Sequence, residues 1–359
     1  MALTGGTKGG TKGGTKGGTK GGTKGDDGAD SVDSPLMSQA IMIQHDAITG
    51  YWDPAADGVP DLSSKIDDNL DYLTEDRRIQ VLVAEMGANF SVKPKKNRRK
   101  KRIGAGLSAL GSGICKIIRP DKSFEMKDQM NWVRAYADLR DDRIPEIQVQ
   151  LEDIASFMAA AHPLSGYDKR FTSTVLAAAH TVVSKVTMQI KHYCRMPRPS
   201  DYAPQVQPII ETPDHSSYPS GHAAEAFALA TVFHYIVTGQ LPDKAFDEDA
   251  VPMLYRVAHR VAVNRTVAGV HFPIESAAGA CLGVALGTAI IQIALSKQGA
   301  KKKTWVLDFP VDEFDSKTDF TLAWAQAELG KIARRNKWIP SDRTPLFTRH
   351  LKKAREEWT

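Results

Sequence analysis

Residues 218–237 read Tyr218-Pro219-Ser220-Gly221-His222 and then AAEAFALATVFHYIV, a short turn that opens directly into an apolar run. Pro219 cannot continue a helix, and Gly221 lets the backbone approach a ligand with no Cβ in the way. The turn therefore predicts a helix capped by Ser220. The first N–H groups of such a helix lack partners and sit at the positive end of its dipole, so the turn is a ready anion site. His222 adds a titratable imidazole at that mouth, where general acid–base chemistry on an oxyanion needs one.

Outward from this turn the chain reads as helices. On the N-terminal side, Phe171, Val175, Ala178, Val182, Val186 and Ile190 form one stripe of a long helix from about Tyr167 to Cys194. Before it, Met130, Val133 and Ala137 share a face. Pro145 predicts the first position of the next helix, with Ile147, Leu151, Ile154 and Met158 inward and Pro163 as its stop. Ile66, Leu70 and Leu73, then Ile79, Leu82, Val83 and Met86, repeat at helical spacing as well. On the C-terminal side the central helix is predicted to break at Thr238-Gly239, and another to run from Pro252 to about Arg265. Ser276–Leu295 carries Gly279, Gly283 and Gly287 at every fourth position, a face without side chains that allows close helix packing. Asp319–Arg335 and Pro345–Trp358 read as two further amphipathic helices. Period-two runs are few, so the predicted fold is all-α, a helical bundle. Its catalytic domain is placed at 36–300, with a motif core at 167–297, and residues 301–359 form a C-terminal helical extension.

Composition narrows the function classes. The 359 residues are 42% hydrophobic with a formal net charge of +5, which is not a nucleic-acid-binding balance, and no nucleic-acid partner is expected. Cys115, Cys194 and Cys281 are far apart and lack ligand spacing, which fits a reducing, cytoplasmic setting without disulfides. Residues 1–35 hold five Gly-Gly-Thr-Lys units and read as a flexible tail, and no signal peptide is visible. Lys93–Arg102 carries eight basic residues and no acid, and with the Gly/Ser-rich stretch that follows it reads as a solvated loop. Ser276–Leu295 is long enough to span a bilayer, but as a single late stretch it reads as a core helix, and no transmembrane segment is expected.

Three charged clusters follow one another. Lys191 stands with Arg198-Pro199, six residues apart; then comes Pro219-Ser220-Gly221-His222; then Arg265 and His271, five residues apart, with Glu275 three further on. Lys191, Arg198 and Arg265 are three cations able to surround one multiply charged oxyanion, while Ser220 and the Gly221 N–H supply neutral donors. Of the two histidines, one can attack or ligate the central atom and the other can move a proton; a carboxylate on the first would fix its tautomer.

The pattern Lys-x6-Arg-Pro, Pro-Ser-Gly-His, Arg-x5-His-x3-acid resembles the three-part signature uniting type 2 phosphatidic acid phosphatases, bacterial acid phosphatases and vanadium-dependent haloperoxidases. It covers Lys191 to Glu275. Asn264 stands where the family usually has Ser, and Glu275 where it has Asp. For a haloperoxidase the resemblance implies vanadate held by Lys191, Arg198, Ser220, Gly221 and Arg265 and bound to His271 as its metal ligand, with His222 assisting peroxide. For a phosphatase it implies His271 as nucleophile, forming a phosphohistidine, and His222 as the acid for the leaving oxygen. The stretch from His215 and the stretch after Arg265 are similar to vanadium bromoperoxidases. The first expectation is thus a haloperoxidase oxidising bromide or iodide with hydrogen peroxide, His215 included in its site. The alternative is a vanadate-free phosphatase acting on a phosphate ester, and a third reading is a noncatalytic anion-binding protein. A homo-oligomer is compatible with each.

Overall fold

The computed structural model describes residues 35–48, 66–97, 102–164, 168–246, 250–295, 302–338 and 344–359. The predicted tail lies outside these residues apart from Pro35. The described residues divide into two compact units, one ending at Arg78 and one from Ile79 onward. In the first lie α1 (Pro35–Ile48), a 3-10 turn over Ile66–Tyr72 and the start of α2 (Glu75–Gly87). The second unit carries all three motif clusters.

After α2 come β1 (Phe90–Asn97), β2 (Arg102–Ala109) and β3 (Ser112–Ile118), an antiparallel sheet in that order. The reading of Lys93–Arg102 and its Gly/Ser-rich sequel as a solvated loop is corrected here: residues on both sides of the described gap are paired strands. Alternation was invisible because Gly104, Ala105, Gly106 and Leu107 in β2 are all buried, so both faces are covered. Gly104 also permits close approach, since a Cβ there would lie 2.1 Å from the Ile117 carbonyl. Lys93, Lys95 and Lys96 are exposed on β1, an edge strand, where lysines discourage further strand pairing.

Helices dominate the rest, in accord with the predicted all-α class: α3 (Met126–Ala137), α4 (Arg140–Val149), α5 (Ala155–Ala159), α6 (Arg170–Cys194), α7 (Pro199–Tyr202), α8 (Gly221–Thr238), α9 (Pro242–Ala245), α10 (Met253–Val267) and α11 (Pro273–Ala294). Pro145 does not begin a helix as predicted but sits inside α4, where the flanking turns outweigh one lost backbone bond. The C-terminal part contains α12 (Leu322–Leu329) and α13 (Pro345–Glu356), and also β4 (Lys302–Val306) paired with β5 (Ala333–Trp338). The extension is therefore not purely helical: α12 stops at Leu329, and the Arg- and Lys-rich stretch after it is a strand.

The hub is α8, buried from Gly221 to Ile236, with α6, α10 and α11 packed against it. Its cap is as the sequence predicts: the Ser220 side chain accepts from the Ala223 N–H, and Gly239 ends the helix at φ 75°. The glycine face of α11 lies on α8. A Cβ on Gly279 would come within 2.5 Å of the Ser220 carbonyl and one on Gly283 within 2.3 Å of the Ala224 carbonyl, both backbone atoms that cannot swing aside. Overpacking of this kind costs about 1–3 kcal/mol. The glycines thus seat the motif turn directly on α11.

The expectation of no transmembrane segment is corrected by α11. At 22 residues it is long and apolar enough to cross a membrane by length and composition, although within the protein most of it is buried. Length and apolarity set that capacity, and the lack of a companion helix does not remove it. All three cysteines are free and buried.

Candidate active site

The site forms where the C-terminus of α6, the N-terminus of α8 and the α10–α11 turn converge. Gly269, at φ 79°, makes that turn tight, so Arg265 in the last turn of α10 and His271 just before α11 come to one place. Their spacing of five residues is the length of the turn.

Lys191 is completely buried and donates from Nζ to the carbonyls of Ser216 (2.9 Å) and Ser217 (3.1 Å). Arg198 donates from Nε to Pro213 O (3.1 Å), from Nη1 to Val270 O (3.1 Å) and from Nη2 to His215 O (3.2 Å), and Nη2 also lies 3.2 Å from His215 Nδ1. These two cations bind the loop carrying the motif and shape its course.

His271 Nδ1 lies 2.7 Å from Glu275 Oε2. The same oxygen accepts from Ser217 Oγ at 2.6 Å and from the Phe272 N–H at 3.1 Å. Glu275 stands at the third position of α11 and reaches back to the N–H of the capping residue. A carboxylate there accepts the Nδ1 proton and leaves Nε2 of His271 as the basic nitrogen. Burial pushes the Glu275 carboxyl up to about 7, against the pull of Ser217 and the Phe272 N–H. Burial, together with Lys191 and Arg198, holds the His271 imidazole well below its usual range, hence neutral.

Across the cleft Arg265 is fully buried. Its Nη2 donates to Gln150 Oε1 (2.9 Å) and to Ile147 O (3.4 Å), while Nε and Nη1 have no hydrogen-bond partner among the described residues. Asn264 beside it donates to Glu146 Oε2 (2.8 Å) and Gln150 Oε1 (3.1 Å) and accepts from Arg143 (3.1 Å). Burial lowers Arg265 to about 9 and Lys191, with help from Arg198, to about 7. His222 is driven well below the usual imidazole range by burial and then by Arg265, His180 and Lys191, with a hydrogen bond to the Gln150 backbone opposing.

Arg198, His215, His222, Arg265 and His271 wall one cleft. Leu151, Ile210, Pro213 and Val270 supply its apolar side, and Glu211 completes the lining. Of the residues singled out from the sequence, Lys191, Ser220, Gly221, Asn264 and Glu275 lie behind these walls: Ser220 caps α8, and its N–H donates to Glu275 O at 2.9 Å. Sequence reasoning missed Ser217 and Gln150. Ser217 lies between His215 and Pro219, but its bond to Glu275 needs three dimensions; Gln150, at the end of α4, gave no signal. Among the described residues no cluster of His, Cys, Asp and Glu is arranged to hold a metal cation. A tetrahedral oxyanion is another matter, because the unpaired Arg265 donors and the two neutral imidazoles share one cavity.

Residues 171–298 match the PAP2 superfamily. The decaprenylphosphoryl-5-phosphoribose phosphatases of Mycobacterium tuberculosis strains CDC 1551 / Oshkosh and ATCC 25618 / H37Rv are each 27% identical over 129 residues, 36% of this chain and 65% of the relative. The similarity thus spans less than two thirds of those relatives' own length. It supports the superfamily and a phosphatase, and gives no support to the bromoperoxidase branch. The matched segment, from α6 to just past α11, includes the whole three-part pattern and every residue that lines the cleft except Leu151.

Proposed function

We propose that the protein is a phosphatase that hydrolyses a phosphate ester through a phosphohistidine at His271. The observation that carries this reading is the buried Arg265 guanidinium, whose Nε and Nη1 have no partner among the described residues although the side chain lines the same cleft as His271 and His222. Burying a charged donor unpaired is costly, and a phosphoryl oxygen is the group that would satisfy it.

In this mechanism the phosphoryl group binds against Arg265 and Arg198, with the ester oxygen toward His222. The lone pair on His271 Nε2 attacks phosphorus as the P–O ester bond breaks, and Glu275 stabilises the positive charge that spreads to Nδ1. His222 gives its proton to the departing oxygen. In the free protein burial and Arg265 keep His222 neutral, and a bound dianion supplies the negative charge that favours its protonation. Water, deprotonated by the now neutral His222, then attacks phosphorus, the P–N bond breaks, and inorganic phosphate leaves.

The mycobacterial relatives are named for a phosphoribose ester on a decaprenyl carrier. An apolar wall of Leu151, Ile210, Pro213 and Val270 suits a leaving group that is not purely polar. Vanadate shares phosphate's shape and charge, so the same donors would hold it, and in a phosphatase it acts as an inhibitor. Halide oxidation, the first expectation from the sequence, has no support from the relatives.

The test is a pair of assays on metal-stripped protein with and without orthovanadate: hydrolysis of a chromogenic phosphomonoester, and peroxide-dependent bromination of a phenolic dye. Hydrolysis that vanadate suppresses and that His271→Ala abolishes is the expected result. Bromination that appears only with vanadate would reverse the reading.

A further inference from the structure

The mechanism asks His271 to present a bare Nε2, and one hydroxyl outside that mechanism bears on whether it can. Ser217, in the loop that leads into α8, is completely buried. Its Oγ donates to Glu275 Oε2 at 2.6 Å and lies 3.3 Å from His271 Nδ1. The other two groups on that oxygen, His271 Nδ1 and the Phe272 N–H, belong to the same short segment as Glu275 and travel with it. Ser217 reaches in from 58 residues away. It is itself fixed: its N–H donates to Met196 O at 2.9 Å, and its carbonyl accepts from Lys191 Nζ at 3.1 Å. Among the described residues Ser217 is the one side chain from another part of the fold that hydrogen-bonds the Glu275 carboxylate.

We propose that Ser217 is a positioning residue for His271: its hydroxyl anchors the Glu275 carboxylate on Nδ1 and so sets the tautomer that leaves Nε2 free to react. A serine hydroxyl has a single proton. Given to Glu275, that proton is not available to His271, and Oγ faces Nδ1 with lone pairs only, which suits an Nδ1–H. Given instead to Nδ1, it would make that nitrogen an acceptor, move the imidazole proton to Nε2 and remove the lone pair that attacks. Glu275 also carries one torsion more than the aspartate usual at this point of the pattern, so its carboxylate has a further rotation to restrict. Oε2 is shared besides with the Phe272 N–H at the start of α11, and a tether from across the turn keeps it on His271 while it serves both. The effect on turnover rests on the phosphohistidine reading above; the tautomer itself does not.

The test replaces Ser217 in the full chain by Ala and by Cys, with thermal melting to confirm folding. Cys fills nearly the same space but is a poor donor, so it separates the hydrogen bond from packing. The first readout is proton–nitrogen NMR of protein made with isotope-labelled histidine, the His271 signals being those lost in His271→Ala. The wild type is expected to carry the imidazole proton on Nδ1, and both variants to gain the form protonated on Nε2. The second readout is hydrolysis of a chromogenic phosphomonoester. Both variants should lose roughly ten- to a hundredfold in kcat, the worth of one hydrogen bond to a charged group, with KM unchanged. Because Ser217 acts through Glu275, Ser217→Ala should cost less than about twofold more when Glu275→Gln is already present. Full kcat in Ser217→Cys, losses that simply multiply in the double variant, or a wild-type His271 protonated on Nε2 would each overturn the proposal. A wild type with the expected tautomer that hydrolyses no phosphate ester would sink the phosphatase reading alone. The spectra of the variants would then decide the tether, with signals unchanged from the wild type counting against it.

Discussion

The two sides of the cleft are built on opposite plans. On the His271 side most of the polar groups that shape the wall have partners inside the protein: Glu275 Oε2 takes three donors, although Oε1 is buried without one among the described residues, Arg198 is spread over the carbonyls of Pro213, His215 and Val270, and Lys191 is tied to Ser216 and Ser217. On the Arg265 side the guanidinium Nε and Nη1 and the Gln150 Nε2 are buried and unbonded among the described residues. A saturated wall is rigid and fixes the direction of an attacking nitrogen. An unsaturated wall stores unmet bonding capacity for something that arrives. The difference teaches that sharing a charge type does not fix a motif residue's role, since Lys191 and Arg265 are both buried cations, yet one is consumed by the scaffold and the other faces the cavity.

That contrast breaks down unless mutations on the two sides fail differently. The largest effect is expected on the saturated side. Glu275→Gln replaces an acceptor at His271 Nδ1 with a group that can donate, which favours the wrong tautomer, and kcat should fall by about 10³–10⁴ with KM little changed. An equal rise in KM, read from steady-state phosphomonoester hydrolysis, would show that the wall also binds substrate. On the open side Arg265→Ala removes donors aimed at the phosphoryl oxygens, and kcat/KM should drop by about 10²–10³, with inhibition by phosphate and vanadate weakened in parallel. Arg265→Lys should recover only part of this, because one ammonium cannot reproduce a planar fork. Unaltered vanadate inhibition in Arg265→Ala would mean that the open donors are not the anion's partners.

Which parts of this were legible follows from where the physics is local. The capped start of α8 could be read because Ser220, Gly221 and the apolar run after them act within one helical turn. The glycine spacing in α11 could be read because period four on a helix is one face, and it does meet α8. The three-part pattern placed Arg198, His222, Arg265 and His271 in one cleft, with Glu275 on His271, as spacing and resemblance implied. The β1–β3 sheet was hidden because its central strand is small-residued and buried on both faces, leaving neither alternation nor hydrophobic bulk to detect. The roles of Ser217 and Gln150 were hidden for another reason: each depends on a partner far away in sequence, Gln150 lying 115 residues before Arg265. Asn264, singled out as a departure from the family pattern, proves to touch Gln150 and Glu146 rather than the cleft.

Asn264 also leads to the smallest expected effect, which probes how the open wall is held. Arg260 donates to both oxygens of Glu146, at 2.9 and 2.8 Å; Asn264 donates to Glu146 and to Gln150; and Gln150 accepts from Arg265. The Arg260 hydrogen bonds hold the Glu146 carboxyl down at about 2. A depressed carboxyl pKa contributes stability that is fully present above the unfolded value and is lost as pH falls through the folded one. The Glu146 contribution should therefore be constant at neutral pH and fade between about pH 4.5 and pH 2. Arg260 is nearly half exposed, so solvent screens the pair and the contribution is about 0.5 kcal/mol. Glu146→Gln should accordingly lower the melting temperature by roughly 1–2 °C at pH 7, with the gap to the wild type closing as the pH is lowered. Because the chain of contacts ends on Arg265, the same variant should weaken phosphate binding slightly at pH 7 while leaving kcat unchanged. A kcat loss without weaker binding would place Glu146 on the His271 side instead, and the division of the cleft into a fixed wall and a receptive one would have to be redrawn.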